Sequence, residues 1–99
     1  MNPPLTLDSH VVATPDHLSS ELSGEVVILS LADGVYYGLD AVGAYVWEQL
    51  RVPHSVRDLV SEITERYAVN REQCERDLLK FLEDLRAHHL VEAVAGESA

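Results

Sequence analysis

Ninety-nine residues with seventeen Asp and Glu against seven Lys and Arg, a formal charge of −10, leave room for one hydrophobic core, because either half alone would bury too little apolar surface to fold. Such a charge repels nucleic-acid phosphates and anionic membranes and favours cationic or neutral partners. A hydrophobic content of 46% with one Trp, one Phe and four Tyr makes the core largely aliphatic, and the single Cys74 excludes an internal disulfide and a multi-Cys zinc site and fits a reducing compartment.

The opening MNPPLTLDSHVV has no basic segment followed by an apolar one, and no run approaches the roughly 18 apolar residues of a membrane span. The chain is therefore expected to be soluble and cytoplasmic. One domain over residues 1–99 is expected, with an ordered core over about 8–94 and frayed ends at MNPP and AGESA. A short strand is expected at His10 to Thr14, closed by Pro15, and PDHLSSELSG after it reads as polar and turn-rich. Val26 to Leu31, VVILSL, is a continuous β-branched and aliphatic run, the pattern of a strand with neighbours on both sides.

ADG then turns the chain into a strand over Val35 to Leu39. The loop length decides which side chains share a face, since a one-residue slip inverts them all. A two-residue Asp33-Gly34 turn puts Leu29 and Leu31 with Tyr36 and Gly38. A three-residue turn with Gly34 in the left-handed bulge position puts them with Val35, Tyr37 and Leu39, and this second register is expected because it gives one continuous apolar face.

Asp40 is a suitable N-cap for a helix over Ala41 to Leu50, with Val42, Tyr45, Val46 and Leu50 on one stripe and Trp47 closing its side. Pro53 stops it. Ser55-Val56-Arg57-Asp58 resembles a capping box and starts a second helix through Leu59, Val60, Ile63 and Tyr67. Asn70 to Gln73 repeats that logic for a third helix to about His88, burying Cys74, Leu78, Phe81, Leu82 and Leu85, with LVEAV as a short extension. The order, strands first and helices after, predicts an α+β domain: a three-stranded antiparallel meander followed by three helices.

Few residues carry a chemical signature. Cys74 reads as core filler with an inert thiol. The histidines lack HxxxH or HExxH spacing, and His88-His89 suits a helix C-terminus. Glu72/Glu75 and Glu83/Asp84 read as a solvated surface, and there is no Gly-rich phosphate loop. No enzyme, metal or cofactor is expected. Three helices beside a small sheet could form a winged helix, and a winged-helix transcription regulator is one alternative. Yet the third helix sets Glu72, Glu75, Asp77, Glu83 and Asp84 against Arg71, Arg76, Lys80 and Arg86, the wrong balance for phosphates.

The strand VYYGL remains. It would lie at a sheet edge with no Lys, Pro or inward charge to guard it. Either it is only an edge strand, or it captures a peptide by strand addition, main-chain hydrogen bonds giving affinity and pockets giving selectivity.

The stretch LADGVYYGLDAVGAYVWEQL resembles the PqqD-like family, the small RiPP recognition elements that bind the leader of ribosomally made precursor peptides. The resemblance runs from about Val26 to Val91 and is strongest over Gly34 to Leu50: a turn glycine, the Tyr-Tyr-Gly-Leu-Asp step, Gly43, Trp47-Glu48 and Leu50. Within the family it is most similar to the free-standing leader-binding proteins of lasso-peptide clusters. The resemblance implies a winged-helix-like fold whose outer strand, Val35, Tyr36, Tyr37, Gly38 and Leu39, takes a leader segment as a fourth strand. The third helix would wall the groove with Leu78, Phe81, Leu82 and Leu85, Cys74 and Asp77 would lie near the start of that wall, and Leu29 and Leu31 would floor the pocket. It further implies delivery of the precursor to a separate leader protease of the transglutaminase-like cysteine class and work beside an ATP-dependent cyclase. A PqqD-like peptide chaperone for a radical enzyme is the alternative within the same fold.

Overall fold

A computed structural model of the chain describes residues 3–23 and 25–94. Each helix starts where a short polar side chain can hold its first free N–H groups. Asp40, Ser55 and Asn70 accept hydrogen bonds from the backbone N–H of Gly43, Asp58 and Gln73 at 2.7, 3.1 and 3.0 Å, which sets the beginnings of α1 (Ala41–Gln49), α2 (Val56–Arg66) and α3 (Arg71–Ala87). All three caps are the ones expected.

The strands are β1 (His10–Ala13), β2 (His17–Leu22), β3 (Glu25–Ser30), β4 (Tyr36–Leu39), β5 (His54–Ser55) and β6 (Val91–Val94). They form two antiparallel sheets, β2-β3-β4 and β5-β1-β6. The α+β class and the meander are as expected, but the meander has a different first strand. PDHLSSELSG, expected as a turn-rich connection, supplies β2, and the strand at His10 belongs to the second sheet. The residues of β2 have weak strand preference of their own, and pairing with the strongly strand-forming β3 overrides it.

LVEAV is likewise a strand and not a helical extension. His89 adopts φ 61°, in the left-handed region, while the N–H groups of Leu90 and His89 donate to the carbonyls of Leu85 and Arg86 at 2.9 and 3.1 Å. This is a Schellman-type ending, after which the helix cannot continue. The chain reverses, and Val91–Val94 pairs with Ala13–His10. Two buried hydroxyls hold the ending in place: Thr14 Oγ1 donates to the His89 carbonyl at 2.6 Å and Ser30 Oγ to the His88 carbonyl at 2.7 Å. Each satisfies a carbonyl that the helix leaves free.

The turn between β3 and β4 corrects the expected register. Gly34 is left-handed, with φ 73°, but the loop is Leu31 to Gly34, one residue longer than expected. Gly34 N–H donates to the Ser30 carbonyl at 2.8 Å, and Ser30 N–H to the Val35 carbonyl at 2.9 Å. The partners become Leu29↔Tyr36, Ile28↔Tyr37, Val27↔Gly38 and Val26↔Leu39. Ile28 and the anchored Ser30 therefore face inward with Tyr37 and Leu39, while Leu29 and Leu31 face outward with Tyr36 and Gly38. VVILSL is apolar throughout and has no alternation to fix its parity, so the buried bond of Ser30 decides it.

One buried cluster joins these parts. Ile28 and Leu39 of the meander meet Val46 and Trp47 of α1, and Leu59, Val60 and Ile63 of α2 meet Cys74, Leu78, Leu82 and Leu85 of α3. The His17 ring packs edge-on against Trp47, centroids 4.8 Å apart. The expected fraying at Met1, Asn2 and residues 95–99 lies outside the described residues. Leu5, by contrast, is buried, its N–H bonded to Glu83 Oε2 at 2.9 Å, and the Pro3 carbonyl accepts from Arg86 at 3.0 Å.

Candidate functional site

In an antiparallel pair, backbone groups point alternately toward and away from the partner strand. The Ser30-to-Val35 hydrogen bond sets this alternation for β4. The Val35 carbonyl and the N–H and C=O groups of Tyr37 and Leu39 are directed at β3, and those of Tyr36 and Gly38 point away from it. β4 is a terminal strand of its sheet, with no neighbour on that side among the described residues. Two donors and two acceptors thus stand in a row at an open edge, the template for one more antiparallel strand.

α3 packs most closely on α2 and β6. Near Leu39 the gap between α1 and α3 widens into a cavity of about 360 Å³. Val42, Gly43 and Val46 line it from α1, Ile63 from beneath, and Cys74, Asp77, Leu78 and Phe81 from α3, with Asp40 and Gln73 at its polar side. Gly43 makes room here, because a Cβ on it would lie 3.2 Å from the capping carboxylate of Asp40. Burial, with the Asp77 carboxylate nearby, pushes the Cys74 thiol up, so it is held as a neutral, poorly nucleophilic group. Among the described residues no group of three His, Cys, Asp or Glu could hold a metal ion, and no helix is long and apolar enough to cross a membrane.

The other end is closed by a polar latch. His88, at the C-cap of α3, bonds through Nδ1 to Asp33 Oδ2 at 2.5 Å, and its ring packs against Tyr37 with centroids 5.3 Å apart. The hydrogen bond from His88 holds the Asp33 carboxyl below its ordinary value, with Val35 N–H also donating to it. Burial, with Asp84 and Asp33 nearby, pushes the Tyr37 phenol up. A carboxyl lowered in the folded state adds stability above its unfolded value, near 3.8, and loses it as pH falls through the folded one. Asp33→Asn is thus expected to lower the melting temperature at neutral pH. The deficit should shrink as the buffer is taken below pH 3.8; melting curves with a constant deficit across that range would show that the pair contributes nothing.

The structure brings together Cys74, Asp77, Leu78 and Phe81 in one cavity wall, and the cavity reaches Asp40, the residue after β4. It separates the other expected residues. Leu82 and Leu85 are fully buried in the core. Leu29 and Leu31 lie on the opposite face of the sheet and cannot floor the pocket, and the inward residue between them and the helices is Ile28, itself fully buried. Val35 sits at the turn end of β4, bonded to Ser30 and Asp33 beside the latch, Tyr36 and Gly38 offer the edge, and Tyr37 and Leu39 face inward. The contributions of Val42, Gly43 and Val46 and the Asp33–His88 latch were not foreseen. The half-burial of Val42 hides in a stripe that reads as core, and the latch joins residues 55 apart in sequence.

Residues 25–91 match the family described as coenzyme PQQ synthesis protein D (PqqD). No curated protein matches the chain. Among solved structures, the chain is similar to "TbiB1 in Complex with the TbiA(beta) Leader Peptide", with 36% sequence identity and a TM-score of 0.73 over 86% of this chain and 99% of that one. It also shares its fold with "Lasso peptide synthetase B1 complexed with the leader peptide", at 23% identity and a TM-score of 0.71 over 83% of this chain and 96% of that one.

Proposed function

The chain belongs to the PqqD family, as a PqqD-like RiPP recognition element, and on that premise we propose that it is a non-catalytic adaptor that captures the leader of a ribosomal precursor peptide by β-strand addition. The leader pairs with β4 and is presented to a separate transglutaminase-like leader protease and an ATP-dependent cyclase in lasso-peptide maturation. The observation that carries this reading is the open row of backbone groups on Tyr36 and Gly38 in a strand that leads, through Asp40, to an apolar cavity walled by Leu78 and Phe81. Strand pairing reads the leader's backbone and tolerates varied sequence, while an apolar or aromatic leader side chain in the cavity sets its register. Asp40 and Asp77 at the cavity, with Asp84 near Tyr37, suit a leader carrying Lys or Arg. Similarity to a leader-bound protein at 36% identity supports the assignment of the ligand class.

The test is a titration with the synthetic leader of a neighbouring precursor gene, followed by amide NMR. Saturable shifts are expected at Tyr36 to Leu39 and along α3 from Cys74 to Phe81. Shifts confined to other surfaces, or none, would rule out capture at this edge.

A further inference from the structure

His88 is held from several sides at once. Its N–H donates to the Leu85 carbonyl at 3.2 Å, and Ser30 Oγ donates to its carbonyl at 2.7 Å. Asp33 Oδ2 accepts from Nδ1 at 2.5 Å, and the Tyr37 ring stands against the imidazole. A carboxylate only accepts hydrogen bonds, so the Asp33 bond keeps a proton on Nδ1 and leaves Nε2 of the neutral ring as an acceptor. Nε2 has no partner among the described residues, and the side chain is 32% exposed. Besides tying a turn to a helix, the latch therefore aims one open acceptor.

The direction of the elements decides what passes it. β4 runs from the Asp33 turn to Asp40, and α3 runs from Cys74 and Asp77, at the cavity that reaches Asp40, to His88 at Asp33. A leader added antiparallel to β4 thus runs along α3 in the same sense as the helix. It passes the cavity first and the latch last. The leader residue opposite Tyr37 faces inward, as does the one two further on, level with the turn. That second side chain arrives at His88.

The charges select what it is. Both Asp33 oxygens are already bonded, Oδ1 to Val35 N–H at 3.1 Å and Oδ2 to His88, so the acceptor left for a ligand is Nε2. Behind it lies the Asp33 charge, and Asp84 lies near Tyr37. Among the described residues neither carboxylate has a Lys or Arg partner. Arg86, two residues before His88, is bonded to Glu83 and to the Pro3 carbonyl. An open acceptor in a negative setting suits an N–H donor that carries positive charge better than it suits a hydroxyl.

We propose that His88, oriented by Asp33, recognises a Lys or Arg side chain of the leader through Nε2, at the end where the leader leaves the adaptor. The inference rests on the capture reading above. It adds a polar check on the register that the apolar cavity sets at the other end, and it makes capture depend on pH. Protonation of the ring turns Nε2 into a donor and gives it a charge like that of the leader side chain. The ionisable groups around the ring are Asp33 from the turn, Tyr37 from β4 and Asp84 from α3. Asp33 stays ionised meanwhile, its carboxyl held below the ordinary 3.8 by the His88 hydrogen bond.

The experiment titrates the full chain into the fluorescein-labelled synthetic leader of the neighbouring precursor gene and reads anisotropy, with melting curves in each buffer to confirm folding. The buffers run from about pH 8.5 to about pH 5.5, the span in which histidines change charge. Wild-type affinity should fall by about tenfold across it, and in His88→Gln, which takes up no charge, by about twofold or less. His10, His17, His54 and His89 remain in that variant and serve as its control. Each Lys and Arg of the paired leader segment is then replaced by Met. One replacement, toward the C-terminal end of the segment, should cost the wild type about fivefold or more at the alkaline end and His88→Gln far less. Equal pH dependence in the two proteins, losses that simply add, or a paired segment without Lys or Arg overturns the subsite. Gly38→Pro separates this inference from the reading beneath it. If that variant loses leader affinity while His88→Gln behaves as the wild type, strand addition stands and the subsite falls. If His88 and a leader cation couple while Gly38→Pro binds as the wild type does, the subsite stands and strand addition at β4 falls.

Discussion

Phe81→Asp is expected to lower leader affinity by at least about tenfold while the chain stays folded. Burying an aromatic side chain is worth about 1.5–3 kcal/mol, and about 1.4 kcal/mol corresponds to tenfold in affinity. Phe81 is half-buried in the free chain and lines the cavity, so much of its apolar surface is available to a ligand. A carboxylate there forfeits that contact and places a charge where an apolar leader side chain is to sit. Leu82 is the comparison: one residue along the same helix but fully buried, so Leu82→Asp should unfold the protein. Circular dichroism and anisotropy on both variants separate the two effects. Equal loss of folding and binding in Phe81→Asp would assign that ring to the core.

Gly38→Pro should weaken leader capture by about ten- to hundredfold, because it removes one of the two outward N–H groups and leaves a leader carbonyl without its donor at a cost of about 1–3 kcal/mol. The fold should tolerate it. Proline is accepted at an edge strand where the N–H faces outward, and a Cβ on Gly38 meets nothing within 4 Å. Tyr37→Pro gives the opposite pattern. Its N–H is directed at β3, so the hairpin itself should be destabilised. Gly38→Ala keeps the donor and should bind nearly as the wild type does. Leader affinity unchanged by Gly38→Pro would mean that no strand is added here.

The helices were legible because their signals are local. A short oxygen-bearing side chain before each one and an apolar stripe at the helical period are both properties of neighbouring residues, and Asp40, Ser55 and Asn70 cap as their positions predict. β4 was legible for the same reason: a short aromatic run, a turn glycine before it and a cap after it. The strand β2 was not. His17-Leu18-Ser19-Ser20-Glu21-Leu22 has the composition of a loop, and it is a strand because β3 pairs with it along its whole length. β6 was misread because the end of α3 is set by the backbone of His89 and by two hydroxyls from distant strands.

The candidate site divides along the same line. Cys74, Leu78, Phe81, Leu82 and Leu85 fall on one apolar stripe, and no period can separate the part that lines a cavity from the part that fills a core. That separation depends on where the sheet ends and how far α3 stands from it. The outward placement of Leu29 and Leu31 depends on a single extra loop residue and the Ser30 bond to His88.

The sequence by itself determined that a strand without a guard precedes a capped helix in an acidic α+β chain, because each of those features is written in adjacent residues. Only the tertiary structure decided which face of that strand's neighbour is buried, which side chains of the last helix remain open to a ligand, and that Leu29 and Leu31 lie on the far side of the sheet. Those are relations between elements, fixed by buried hydrogen bonds and packing distances that no local pattern encodes.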